Sequence, residues 1–157
     1  MNPADLFQTA SELMADYAEL LDADRLEEWL DLFTEDATYD VVPRENVEQG
    51  LAVSLMVCAN KAQLRDRITA LRQANEYNLH YDCHLVSGVR ARATDEGIVQ
   101  VSANYAVFQT NLEGQSRLFS VGRYQDCARV VGSRLLLCKK RVIVDTFSVP
   151  TLLATPL

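Results

Sequence analysis

Histidine is scarce in this chain: there are two in 157 residues, His80 and His84. The four cysteines, Cys58, Cys83, Cys127 and Cys138, are scattered with no Cys-x-x-Cys pair. A metal-site reading is therefore confined to the His80…His84 neighbourhood. If that segment is extended, the two histidines share a face but stand about 13 Å apart by strand rise, too far to share an ion. Apolar runs are short, and none approaches the ~20 residues that span a bilayer. Positive charge is in deficit, with 15 Lys and Arg against 22 Asp and Glu. The net charge of −7 argues against nucleic acid as a partner. The start, Met1-Asn2-Pro3-Ala4-Asp5, is acidic and polar, unlike a secretory signal. The cysteines then read as reduced core or half-buried thiols of a cytoplasmic protein. Repeats, linkers and low-complexity segments are absent too.

What is present is an ordinary globular composition, 48% hydrophobic and 24% charged. The length suits one domain, residues 1–157, with a substantial core. Asn2 and Pro3 form a helix start. Apolar residues then recur at Leu6/Phe7, Ala10, Leu13/Met14, Tyr17 and Leu20/Leu21, which predicts an amphipathic helix over 3–21. Asp22 or Asp24 caps a short second helix that buries Leu26, Trp29, Leu30 and Phe33. A strand follows over 37–42 and ends at Pro43, which has no N–H to donate. Pro43-Arg44-Glu45-Asn46 reads as a polar turn, and 50–58 as a buried strand. Asn60 caps a third helix over 61–75, with Leu64, Ile68 and Leu71 inward and Lys61, Arg65, Asp66, Arg67 and Arg72 outward.

A strand over 82–93 leads into three long strands, 97–110, 116–127 and 134–145. Their turns are Asn111-Leu112-Glu113-Gly114 and Val131-Gly132-Ser133. These strands are about twice the usual ~5–6 residues and imply a twisted, curved meander. Val99, Val101, Ala103, Tyr105 and Val107 share its apolar face. In the last strand Leu136, Cys138, Val142 and Val144 share a face interrupted by Lys140. The opposite face, with Lys139, Arg141 and Asp145, is mixed and reads as a surface that another chain covers. Helices before antiparallel strands predict an α+β fold with three helices packed on the sheet.

The stretch Glu28-Trp29-Leu30-Asp31-Leu32-Phe33-Thr34-Glu35-Asp36-Ala37-Thr38-Tyr39 resembles the helix-to-strand corner of the nuclear transport factor 2-like (SnoaL-like) cone. Pro43-Arg44-Glu45-Asn46, Leu64-Arg65-Asp66-Arg67-Ile68, His84, Ser102-Ala103-Asn104-Tyr105, Gly122-Arg123-Tyr124-Gln125-Asp126, Asp145 and the closing Leu152…Pro156-Leu157 narrow the likeness. In order and spacing the set resembles the small (beta) subunit of bacterial aromatic-ring-hydroxylating dioxygenases. The segments 49–52, 66–75 and 151–157 look most like the small subunits of terephthalate-type oxygenases, with salicylate and benzoate types beside them.

The resemblance implies a non-catalytic assembly subunit that binds no cofactor or metal itself. It implies a trimer of this chain within an alpha3beta3 hexamer. The large (alpha) subunit would hold the Rieske [2Fe-2S] cluster and mononuclear Fe(II), fed by a reductase component of an NADH-dependent system. A Rieske centre needs two Cys and two His with paired spacing, which this chain lacks. Arg44, Glu45, Arg123 and Asp126 then read as polar structural pairs. Arg65 and Arg67 read as solvated or subunit-facing, and Asp145 as a partner of nearby Arg141. The alternative is a free-standing dehydratase-like or cyclase-like cone enzyme, or a small-molecule binder. Tyr39, His84, Asn104 and Asp145 would line its pocket, with His84 as general base.

Overall fold

The computed structural model describes residues 2–51, 53–73, 79–94, 97–146, 153 and 155–157. Asn2 has extended backbone, and its Oδ1 accepts the N–H groups of Ala4 and Asp5, each at 2.9 Å. Two otherwise orphaned donors at the start of α1 (Pro3–Asp22) are thereby satisfied. The predicted stripe is the buried one: Leu6, Ala10, Leu13, Met14, Tyr17 and Leu21. Asp24, in the left-handed region at φ 54°, turns the chain into α2 (Leu26–Trp29). A single 3-10 turn, Leu30–Leu32, follows.

Phe33, expected on the second helix, instead begins β1 (Phe33–Pro43), ahead of the predicted start at Ala37. Pro43 ends that strand as expected, but 44–46 is not a simple turn. Pro43, at φ −60° and ψ 139°, is the N-cap of a short helix, α3 (Arg44–Glu48). The predicted strand over 50–58 shrinks to β2 (Met56–Cys58). Met56 and Cys58 are buried, whereas Leu51, Val53, Leu55 and Val57 are exposed. The apolar run alternates rather than being buried throughout.

Asn60 Oδ1 accepts the Gln63 N–H, and Gln63 Oε1 accepts the Ala59 N–H, at the start of α4 (Lys61–Gln73). The expected last turn, residues 74 and 75, lies outside the described residues, as do 151, 152 and 154 of the closing tail. Lys61, expected in solvent, is buried. Its ammonium donates to the Phe33 carbonyl at 3.3 Å and lies 3.3 Å from Glu35. Among the four cysteines, all free, Cys58 is buried and Cys127 and Cys138 are half-buried. Cys83 departs from expectation and is exposed.

The remaining strands are β3 (His80–Ala93), β4 (Ile98–Asn111), β5 (Ser116–Val131) and β6 (Arg134–Val144). They form one six-stranded sheet in the order β2-β1-β6-β5-β4-β3. All pairings are antiparallel except β1 with β6. Helix α1 lies over β3, and α4 lies against β1. The helices thus cover one face of a curved, mostly antiparallel sheet, which is the expected α+β cone. The predicted apolar parity of β4 is the buried one: Val99, Val101, Ala103, Tyr105 and Val107. Each fully buried large aliphatic or aromatic side chain stabilises the fold by about 1.5–3 kcal/mol.

Two departures from a two-residue period shape the inner face. Gly88, at φ 63°, sits in a bulge between the pairs Ser87–Asn104 and Arg90–Ser102. After it, the inward parity of β3 switches from even to odd residues. In β6 the register with β5 jumps from Ala128–Leu137 to Cys127–Lys139. Leu135 and Leu137 therefore point inward before the irregularity, and Lys140, Val142 and Val144 after it. The single face expected for Leu136, Cys138, Val142 and Val144 is split at that point.

Candidate functional site

The interior of the cone is lined by tyrosines and a buried ion pair. Tyr17 comes from α1, Tyr39 from β1, Tyr105 from β4, and Tyr124 and Asp126 from β5. Lys140 comes from β6. Tyr124 stacks on Tyr105 with ring centres 4.6 Å apart and planes 7° from parallel. Tyr17 meets Trp29 and Tyr124 at 5.7 Å each. Gly122 makes the close approach of β6 possible, because a Cβ there would collide with the Ile143 carbonyl oxygen.

Lys140 donates to Asp126 Oδ2 at 3.0 Å, and neither side chain has any exposed surface. Its ammonium lies 3.2 Å from the ring centre of Tyr124 and 4.1 Å from that of Tyr17. Asp126 Oδ1 accepts the Arg141 N–H at 3.2 Å. Removal from water pulls the Lys140 ammonium down to about 8, although Asp126 opposes the shift. Burial raises the Asp126 carboxyl, against the pull of Lys140. Burial also raises the phenols of Tyr17 and Tyr124 well above their ordinary range, so both stay neutral. The pair is held by two rings and a backbone N–H.

Leu157 packs within this interior. Leu157 is 1% exposed. Tyr39 Oη accepts the Leu157 N–H at 2.9 Å, and the Leu157 oxygen accepts from Tyr17 Oη at 2.5 Å and from Tyr39 Oη at 2.9 Å. Thr155, two residues before it, donates to Asp82 at 3.3 Å.

His84 lies on the inner side of β3, with its ring 1% exposed. Its Nδ1 is 2.6 Å from Asp22 Oδ1, so Nδ1 carries the proton that the carboxylate accepts. The His84 backbone N–H also donates to the Asp22 carboxylate. Its Nε2 is buried and has no hydrogen-bond partner among the described residues. This orientation is one that a general base uses, but such a base must reach a substrate proton, and this ring is sealed. His80 is half-buried in β3, ahead of the predicted strand start, with Gln109 Nε2 at 3.2 Å from its ring nitrogen. Among the described residues no group of three or more His, Cys, Asp or Glu side chains converges as metal ligands would.

The other expected site residues scatter. Tyr39 and His84 do face the interior. Asn104 lies on the outer face of β4, and Asp145 lies past the end of β6. The four therefore do not form one pocket. Asp145 pairs with Arg44 at 3.6 Å rather than with Arg141, which lies 3.4 Å from Asp40. Arg44 also pairs with Glu48 at 2.8 Å, while Glu45 and Arg123 make no ion pair among the described residues. Asp126 pairs with Lys140 rather than with an arginine. Arg65 and Arg67 are exposed on α4, and Arg72 ties α4 to Asp24 and Glu27. Lys139 is exposed on the outer sheet face, beside Arg90, Arg92 and Arg141 along a cleft of about 620 Å³.

The buried pair was missed in the sequence. Its signal was present: Lys140 interrupts the parity of Val142 and Val144, and Asp126 interrupts that of Tyr124 and Ala128. Opposite charges that interrupt apolar faces on neighbouring strands point to each other.

The family model described as ring hydroxylating beta subunit matches residues 16–151. The chain belongs to that family. It is 44% identical over 141 residues to the anthranilate 1,2-dioxygenase small subunit of Burkholderia cepacia, covering 90% of this chain and 88% of that one. It is 31% identical to a beta subunit of the terephthalate 1,2-dioxygenase terminal oxygenase of Comamonas, covering 91% and 93%. A solved beta subunit assigned to an aromatic-ring-hydroxylating dioxygenase of Novosphingobium aromaticivorans superposes with a TM-score of 0.87 at 38% identity, covering 96% of each chain.

Proposed function

We propose that this chain is the non-catalytic assembly subunit of a Rieske non-haem iron dioxygenase that oxidises an aromatic carboxylate. The observation that carries the reading is the filled cone. Trp29, Tyr17, Tyr39, Tyr124, Lys140 and Leu157 occupy its centre with at most 1% exposure each. A substrate pocket needs enclosed space with a few convergent polar groups. Here Lys140 bonds to Asp126, and Tyr17 and Tyr39 bond to the Leu157 backbone.

In this reading the iron centres sit in a large subunit, which binds dioxygen and substrate and receives electrons from an NADH-dependent reductase. The beta chain holds copies of that subunit in place, as a trimer within a hexamer. Anthranilate and terephthalate, named for two relatives, are both arene carboxylates. The 44% identity to the former against 31% to the latter moves the first substrate to test from terephthalate to anthranilate. Co-expression with the large subunit, followed by product analysis on anthranilate, terephthalate, salicylate and benzoate, tests this. Turnover of at least one of these carboxylates, with iron retained by the large subunit alone, is the expected result. Oxidation of unsubstituted arenes only is the opposite one.

A further inference from the structure

Two irregular strands aim cations at one place on the outer face of the sheet. In β3 the Gly88 bulge, at φ 63°, ends the run of odd-numbered outward residues from Tyr81 to Ser87 and turns Arg90 and Arg92 outward. In β6 the irregularity opposite Cys127 puts Lys139 and Arg141 on that same face. Bulges recur where a strand must re-aim a side chain. Between these two flanks, Gln100 and Ser102 of β4 and Gln125 of β5 form the floor of the cleft of about 620 Å³. Arg92 stands opposite Gln100, and Arg90 opposite Ser102, which in turn stands opposite Gln125. The cations of this cleft differ from those elsewhere in the chain. Arg25, Arg44, Arg72 and Arg129 each hold a carboxylate at 2.8 Å or closer. Arg90, Arg92 and Lys139 hold none among the described residues, although Asp and Glu outnumber Lys and Arg by 22 to 15. Arg141 has Asp40 at 3.4 Å. Asp126, at the base of the cleft, is fully buried and already bonded to Lys140 and to the Arg141 N–H.

We propose that this cleft binds a small dianion with its charged groups at opposite ends, one held by Arg90 and Arg92 and the other by Lys139 and Arg141. Strands β3 and β6 lie three strand spacings apart, roughly 14 Å, and long side chains reaching in from both flanks narrow that gap to the length of a small molecule. Guanidinium groups match a carboxylate with two parallel hydrogen bonds. The Gln100 and Gln125 amides and the Ser102 hydroxyl supply donors for the remaining oxygens. The cleft volume falls in the range of small-molecule sites. A ligand charged at one end only would leave one flank of cations unmatched. This site is separate from the filled interior on which the assembly reading rests.

Titration calorimetry on the full chain at low salt tests this with three anions: terephthalate, charged at both ends, benzoate, charged at one, and sulfate, a compact dianion. Terephthalate is expected to bind about tenfold more tightly than either of the others, the factor that one further charge-assisted bond supplies. Its affinity should fall as salt is added. Arg92→Gln and Lys139→Gln, at exposed positions on opposite flanks, are each expected to weaken terephthalate about tenfold, with circular dichroism as the check on folding. Arg65→Gln, which removes an exposed cation from α4, is expected to leave the affinity unchanged. Terephthalate that fails to bind, that binds no better than benzoate or sulfate, or that weakens as much in Arg65→Gln as in the cleft variants overturns the proposal. Should a cleft variant fail to fold, the three anions on the parent chain still decide. None of these results bears on the assembly reading, whose test is iron retention and turnover in the complex.

Discussion

Lys140 Nζ stands 3.0 Å from Asp126 Oδ2 and 3.2 Å from the ring centre of Tyr124, in a place where neither charged side chain touches solvent. Removing one partner strands the other charge. Lys140→Met is expected to destabilise the chain by about 3–5 kcal/mol, the usual result of breaking a buried pair from one side. The double variant Lys140→Met/Asp126→Leu should recover most of that loss, since a buried pair is often no more stabilising than apolar groups of similar volume. Urea unfolding of the two variants checks both statements. A single variant as stable as the parent would show that the pair carries little.

Tyr39 and Leu157 form the second relationship with a measurable consequence. Tyr39→Phe leaves the buried Leu157 N–H without its acceptor, and an unsatisfied buried group costs about 1–3 kcal/mol. Hydrogen exchange at the Leu157 amide should quicken before the rest of the sheet is affected. Tyr17 still donates to the Leu157 oxygen, so the residue is expected to loosen rather than to leave altogether.

His84 supplies a prediction about chemistry. If it orients the interior through Asp22 and does not handle protons, His84→Gln lowers the melting temperature but leaves the assembled oxygenase active and iron-loaded. Steady-state rates at matched iron content check this. Loss of turnover in an intact, iron-loaded assembly would make His84 part of the reaction.

Arg72 offers a pH-dependent case at the surface. It donates to Asp24 at 2.6 Å and to Glu27 at 3.0 Å, and its bond to Glu27 lowers that carboxyl below its ordinary 4.5. A depressed carboxyl contributes stability that is present above its unfolded value and is lost as pH falls through the folded one. Arg72→Ala should therefore cost about 1 kcal/mol near neutrality, the upper end for exposed pairs. The difference from the parent should shrink as pH drops below 4.5. Thermal melts across that range, at low and high salt, measure it.

Much of the architecture was legible in the sequence, for identifiable reasons. Helix α1 showed because its stripe keeps the helical period over 20 residues and Asn2 caps it. Strand β4 showed because its alternation is unbroken from Val99 to Val107. Where the period breaks, the reading failed. The irregularity in β6 moves Leu137 and Lys140 to the same side, which no two-residue count allows. The run 50–58 looked buried because it is apolar, but half of its side chains face outward at an edge. Pairings were harder still. Arg44 with Asp145 depends on which strands are neighbours, and the parallel contact of β1 with β6 joins segments about a hundred residues apart in the chain. The family emerged from ordered short segments, none of which reveals what fills the centre of the cone.

Iron content and turnover, compared between this chain purified alone and the chain co-purified with a large subunit, test the assembly role most directly. The lone chain is expected to bind no iron and to oxidise no aromatic carboxylate. The co-purified complex should hold both kinds of iron centre and oxidise one. A lone chain that converts substrate without iron would contradict it.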